Sequence, residues 1–221
     1  MIFSRKILIA ALSTLALPSL MQTKGIAEPQ RIESINQNKN VLYRESLALF
    51  EARDYKSAIQ SLTKYLEKDI SSHHAHFLRG KSYHELGILD KANADYKKAI
   101  EINPSSSYKS YNNSGLIYGE LKSFELAKKS FTEAIKANPQ AKEAYNNRGV
   151  AKAASGDTNG AIKDFTKSIN IDRNYLEPVL NRSFVFEMQG KLDKACNDWK
   201  KASRMGSRDA TTWHKFQCKN K

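Results

Sequence analysis

At 221 residues the chain can bury a sizeable core without cross-links, and its 36 Lys and Arg against 23 Asp and Glu leave a net charge of +13. Only 5 Pro and 10 Gly speak against collagen-like or Pro-rich disordered material and against a turn-dense sandwich. Two Cys exclude a disulfide-framework miniprotein and a four-thiolate zinc site.

Arg5 and Lys6 precede an apolar run from Ile7 to Leu20, and small residues follow at Gly25 and Ala27. This is the layout of a secretory signal over residues 1–27, cleaved after Ala27. The run is short for a spanning helix, which needs about 20 apolar residues, so an uncleaved N-terminal anchor is the alternative. No Cys follows the run, which argues against a lipoprotein. Residues 1–27 carry three basic residues and no acidic one, so without them the charge is still +10. The polar stretch 28–38 lacks apolar periodicity and reads as a linker.

From residue 39 the chain repeats itself. An Ala stands four residues before an aromatic or Leu at Ala58/Leu62, Ala92/Tyr96, Ala127/Phe131, Ala161/Phe165 and Ala195/Trp199, at spacings of 34, 35, 34 and 34. Twelve residues before each Ala is a small residue: Ser46, Gly80, Gly115, Gly149 and Ser183. Seven after it come Tyr65, Ala99, Ala134, Ser168 and Ala202, and two units end in Asn103-Pro104 and Asn138-Pro139. The pattern resembles the tetratricopeptide repeat, whose unit is an antiparallel helix pair. That resemblance implies an all-α, right-handed superhelical solenoid of five units, 39–72, 73–106, 108–141, 142–175 and 176–209. Ser107 is a one-residue insertion. Residues 210–221 continue in the register of a sixth first helix, a cap with Trp213 and Phe216 facing inward. Small residues let the paired helices approach, the aromatic fills the space between them, and Gly87, Gly156 and Gly190 fall in the intervening turns.

Comparing the units with one another exposes a second regularity. One residue before the small position stand Glu45, Arg79, Ser114, Arg148 and Arg182; one before the aromatic stand Ser61, Asp95, Ser130, Asp164 and Asp198. Asp accompanies Arg and Ser accompanies Ser or Glu, so three bidentate bridges are expected: Arg79–Asp95, Arg148–Asp164 and Arg182–Asp198.

The family's concave face is lined by first helices and takes extended peptides or partner helices. Asn113, Asn147 and Asn181 form a ladder there, with Asn112 and Asn146 beside it. The spacing is similar to the asparagine ladder of the helical-repeat part of O-GlcNAc transferase. Asn donates and accepts, so the ladder suits a peptide backbone; the competing reading is Asn that merely solvates the face. Phe77, Lys81, Leu180 and Phe184 are expected to add contacts. The clamp that holds chaperone tails is not matched, since its places hold Phe77, Lys81, Asn113, Glu143 and Asn147.

His73, His74, His76 and His84 lack a completing carboxylate or Cys, and read as a solvated helix start rather than a metal site. No nucleophile–base spacing or phosphate-cradling Gly loop is present, so neither catalysis nor a cofactor is expected. Basic pairs such as Lys97-Lys98, Lys128-Lys129 and Lys200-Lys201 fall on second-helix exteriors without exposed aromatics between them. This argues against nucleic acid and leaves an anionic membrane surface as the charged partner. Cys196 and Cys218 flank the turn to the cap and are placed to form a disulfide in an oxidising compartment; the alternative is one buried and one exposed thiol.

The expectation is thus a non-catalytic protein-binding scaffold of an exported compartment. The Asn-Asn-Arg-Gly run at Asn146 to Gly149 is similar to repeats abundant in cyanobacteria and chloroplasts. That similarity implies a periplasm or thylakoid lumen, with an assembling membrane complex as partner. The alternative is a membrane-associated or self-associating module using the basic convex face.

Overall fold

The computed structural model describes residues 29–218; the expected signal lies outside them. Eleven α-helices and no strand occur among the described residues. α1 runs from Pro29 to Glu51, so the stretch expected as a linker is helical from Pro29 onward. Proline is well accommodated at the first position of a helix, and Gln, Arg, Glu and Lys carry little helix penalty. Lack of an apolar stripe therefore did not prevent a helix here.

The remaining helices are α2 (Tyr55–Lys68), α3 (His73–Glu85), α4 (Leu89–Ile102), α5 (Tyr108–Glu120) and α6 (Phe124–Ala137). They continue as α7 (Lys142–Ala154), α8 (Thr158–Ile171), α9 (Leu176–Met188), α10 (Leu192–Arg204) and α11 (Arg208–Gln217). From Lys39 onward each helix packs chiefly on its neighbours in sequence, while α3, α5, α7 and α9 also touch one another. First helices thus form one continuous face and second helices the other.

Each pair closes on one large side chain. Leu62, Tyr96, Phe131, Phe165 and Trp199 are all at most 2% exposed. The opposite helix makes room by having almost no side chain: a Cβ at Gly149 would lie 2.6 Å from the Phe165 ring, and one at Gly115 2.6 Å from Phe131. The helix-to-helix turns take a left-handed residue, Gly87, Gly156 and Gly190 in units two, four and five. In units one and three Arg53 and Lys122 adopt it instead, at φ 60° and 54°.

The inserted Ser107 is buried, and its hydroxyl donates to the Asn103 carbonyl at the C-cap of α4 at 2.5 Å, with the Ala99 carbonyl, which already accepts from Asn103 N–H, at 3.1 Å. A single 3-10 turn, Pro104–Ser106, absorbs the extra length.

At the other end α11 covers the last pair. Ala210 is fully buried, and Trp213 lies 6.3 Å from Trp199 and 5.0 Å from Phe184, ring centre to ring centre. Phe216, expected to face inward, is 74% exposed. Three residues beyond Trp213 turn it about 60° further round the helix, away from the stripe that Ala210 and Trp213 define. Cys196 and Cys218 are bonded, with Cα atoms 5.8 Å apart, and tie the end of α11 to α10.

The close approach gives a direct test. Gly149→Val should cost about 2–3 kcal/mol in urea unfolding, because the ring of Phe165 has no free space to retreat into. The same change at Gly156, in a turn with nothing within 4 Å of a Cβ, should act only through its φ of 90°.

Candidate functional site

The concave face is held in register by three brackets of one Arg–Asp geometry. Arg79 Nε donates to Asp95 Oδ2 at 2.7 Å and its Nη2 to Oδ1 at 2.8 Å. Arg148 grips Asp164 at 2.8 and 2.7 Å, and Arg182 grips Asp198 at 2.8 Å twice. The third arm of each guanidinium reaches back to the preceding unit, where Nη1 donates to Thr63 (3.1 Å), Thr132 (3.1 Å) or Thr166 (2.8 Å). Each of these hydroxyls donates in turn to the carbonyl four residues earlier. One arginine therefore joins three helices with its planar fork. The threonines carry a signal of their own in the sequence, which only the structure makes readable: Thr precedes every Arg unit, and Lys97 stands in its place before Ser114.

Asp95 and Asp164 each carry an extra partner: Lys152 Nζ lies 2.8 Å from Asp164 Oδ2, and His76 sits against Asp95. His76, expected on a solvated helix start, is only 5% exposed, with Nδ1 3.0 Å from Asp95 Oδ1 and Nε2 3.1 Å from the Ile70 carbonyl. It occupies the place of Leu42, Tyr111, Tyr145 and Val179 in the other units, which is an inward position. Burial alone would raise the Asp95 pKa, but the hydrogen bonds from Arg79 and His76 outweigh it and hold the carboxyl below its ordinary value of 3.8. No group of three His, Cys, Asp or Glu able to hold a metal is found among the described residues.

The asparagines bond to one another. Asn147 Nδ2 donates to Asn112 Oδ1 at 3.1 Å, Asn146 Nδ2 to Asn147 Oδ1 at 3.3 Å, and Asn181 Nδ2 to Asn146 Oδ1 at 3.0 Å. The result is a relay of four amides across α5, α7 and α9. Asn113 stands outside it, donating to the Tyr96 hydroxyl at 3.3 Å; burial pushes that phenol's pKa up, and the bond from Asn113 opposes the shift. An Asn side chain offers four donor and acceptor sites in all, so half-buried Asn112, Asn113, Asn147 and Asn181 keep unused ones toward the groove, whereas Asn146, only 6% exposed, serves to fix its neighbours.

Two clefts flank the relay between α5 and α7. The first, about 440 Å³, is lined by Phe77, Lys81, Tyr108, Lys109, Asn112 and Asn113, with Glu143 on its α7 wall. The second, about 350 Å³, is largely apolar, with Gly115, Leu116 and Gly119 on one side, Asn147 and Val150 on the other, and Phe131 in its lining.

Comparison with known proteins agrees with this architecture. Tetratricopeptide-repeat family models match residues 43–107, 108–141 and 142–175. The chain belongs to the tetratricopeptide repeat family. Among solved structures it is similar to PilF of Pseudomonas aeruginosa, at 20% identity and TM-score 0.71 over 79% of each chain. It is also similar to MamA of Desulfovibrio magneticus RS-1, at 15% identity and TM-score 0.69 over 76% of this chain and 94% of that one. A third is YrrB, described as a tetratricopeptide-repeat protein with an unusual peptide-binding site, at 19% identity and TM-score 0.66 over 83% and 96%. Identities this low establish the shared solenoid fold. It is the fold of a protein-interaction scaffold, a family that is generally non-catalytic.

The tetratricopeptide units bring Phe77, Lys81, Asn112 and Asn113 together in the first cleft and place Asn147 on the second. Leu180 and Phe184 line neither. Leu180 packs into the terminal core, and Phe184, 40% exposed, lies edge-on against Trp213, so the cap has taken both as partners. On the second-helix side Lys98 and Lys128 are paired with Glu101 and Glu125. No helix of the described residues is long and apolar enough to cross a membrane.

Unit three, lacking a bracket, has a cavity of about 280 Å³ in its place, lined by Asn93, Lys97, Ser114 and Ser130 among others. Asn93 Oδ1 and Ser114 Oγ are buried there without a hydrogen-bond partner. In unit one Ser61 instead donates to Glu45, at 3.3 Å.

Two tests follow from the brackets. Asp95→Ala should cost about 2–4 kcal/mol by denaturant melts, since it leaves Arg79 and His76 facing an empty site. The Asp95 contribution should be complete above its ordinary 3.8 and drain away as pH falls through its lower folded value, so Asp95→Asn should flatten that acid limb of stability against pH. In unit three, Ser114→Arg alone should destabilise by burying an unpaired charge. Adding Ser130→Asp should recover that loss, giving a coupling of about 1.5 kcal/mol or more in a double-mutant cycle.

Proposed function

We propose that the protein is a non-catalytic scaffold that holds an extended segment of another protein along its concave face. The observation that carries this reading is the amide relay running between two clefts on α5 and α7. Amides already fixed by their neighbours present spare donors and acceptors at set positions, which suits backbone groups of any sequence. YrrB, whose peptide-binding site is described as unusual, offers a precedent on the same fold.

The same proposal places the protein in an exported, oxidising compartment such as the periplasm or a thylakoid lumen, where it would serve assembly of a membrane complex. The basic-then-apolar start and the Cys196–Cys218 disulfide both favour export. A membrane-binding convex face is the rival reading. It is weakened because part of that positive charge is already paired with Glu.

Site-specific photo-crosslinking separates the two. A benzophenone side chain replacing Val150, 46% exposed beside the relay, should crosslink to a protein partner in native envelope extracts. One replacing Lys129 on the opposite helix face should not. Crosslinks from position 129 alone, or to lipid alone, would overturn the groove reading in favour of the convex face.

A further inference from the structure

On their α5 and α7 walls the two clefts repeat one geometry two turns apart. Tyr108, Lys109, Asn112 and Asn113 of the first correspond, seven residues on, to Gly115, Leu116, Gly119 and Glu120 of the second. The same step separates Glu143 and Ala144 from Val150 and Ala151 on α7. Seven residues of helix span roughly 10 Å, the length of about three residues of extended chain.

Their chemistry differs sharply. In the first cleft Lys81 and Lys109 have no carboxylate partner among the described residues. The Lys81 ammonium rests 4.9 Å from the centre of the Phe50 ring, and Lys109 lies 5.9 Å from that of Tyr108. Glu143 is the one acidic group in the lining, so the cleft holds an excess of positive charge. In the second cleft the side chains are replaced by space. Gly119 stands where the first cleft has Asn112, a Cβ there would meet nothing within 4 Å, and the walls are Leu116, Phe131 and Val150. Glu120 at the rim is tied by His84 Nε2 at 3.0 Å.

We infer that the partner segment bears an acidic side chain and an aliphatic or aromatic side chain about three positions apart. The acidic group pairs with Lys81 and Lys109, the apolar group fills the space left by Gly119, and Asn113 and Asn147 hold the backbone between them. This deepens the groove reading and rests on it. The carboxylate is an internal side chain rather than a chain end, because the places of a clamp for a terminal carboxylate hold Phe77, Lys81, Asn113, Glu143 and Asn147, and Glu143 would face such a chain end with like charge. Charge complementarity at one end and an apolar, residue-sized space at the other select this occupant over a purely basic or purely polar segment.

The test uses the full chain and nine-residue peptides of Gly and Ser, acetylated and amidated, carrying one Glu and one Leu at separations of one to five. Binding is read by fluorescence anisotropy. The peptide with Glu and Leu three apart should bind at least about tenfold tighter than its Lys/Leu and Glu/Asn counterparts, the factor expected of one lost anchor. Gly119→Leu fills the second cleft from within, improves helix propensity and should leave the circular dichroism unchanged. It should abolish the preference for Leu over Asn and keep that for Glu over Lys. Lys81→Glu with Lys109→Glu should reverse the charge preference and keep that for Leu. A wild type blind to charge, or Gly119→Leu binding as the wild type does, would overturn the inference. If the paired peptides bind no better than plain Gly-Ser peptides while position 150 still crosslinks a protein, the anchors are wrong and the groove reading stands. If both fail, both fall.

Discussion

Everything between Lys39 and Cys218 depends on how closely two helices can approach in each pair. The limit is set by one small residue facing one large one. With Gly149 opposite Phe165 the ring lies directly over the backbone of the facing helix. In that geometry the Arg one residue earlier and the Asp one residue before the ring become neighbours. The bracket is thus a consequence of the close approach, and could not form between helices held apart by a larger side chain. Because its third arm ends on a threonine of the preceding unit, it converts a local contact within a pair into alignment between pairs. The amide relay depends on that alignment, since Asn147 reaches Asn112 and Asn181 reaches Asn146 only if successive first helices keep one register.

Unit three breaks several of these rules at once, and the departures converge on α5. It has Ser114 and Ser130 instead of a bracket, a buried Ser107 and a 3-10 turn before it, and Lys122 instead of Gly in its turn. Behind α5 lies a cavity with two unsatisfied polar atoms; in front of it lie both clefts. Local rules are most often broken where a protein does its work. Unit three is thus an unbracketed unit between two bracketed ones, and its first helix carries both clefts.

Much of this was legible in the sequence because it is periodic. The spacing of Ala58, Ala92, Ala127, Ala161 and Ala195 identifies the helix pairs, and the matched alternation of Arg with Asp points to contacts sixteen residues apart. What escaped was whatever depends on one unit alone or on polar residues without a pattern. Pro29 to Asn38 form a helix with no apolar stripe to announce it. His76 looks like one member of a histidine cluster, and only its register with Tyr111 and Tyr145 marks it as an inward residue. Leu180 and Phe184 have groove positions by register, but the cap helix recruits both, and a terminal unit need not share the environment of internal ones.

The relay also constrains where selectivity can reside. A row of free asparagines would have to be ordered by the ligand, each at an entropic cost, whereas these amides are already fixed by one another. Fixed amides favour association, yet they discriminate poorly, because every peptide offers the same backbone donors and acceptors. Discrimination must come from side chains, and next to the relay the face offers two places that differ from a uniform wall. One gains positive charge from Lys81 and Lys109; the other gains volume from Gly119, where the other units carry Phe50, His84, Ala153 and Glu187. An absent side chain is as specific a feature as a present one, since only a residue with an apolar body can use the space without losing hydrogen bonds to water. A repeating scaffold thus acquires an address by departing from its own repeat at one glycine and two lysines.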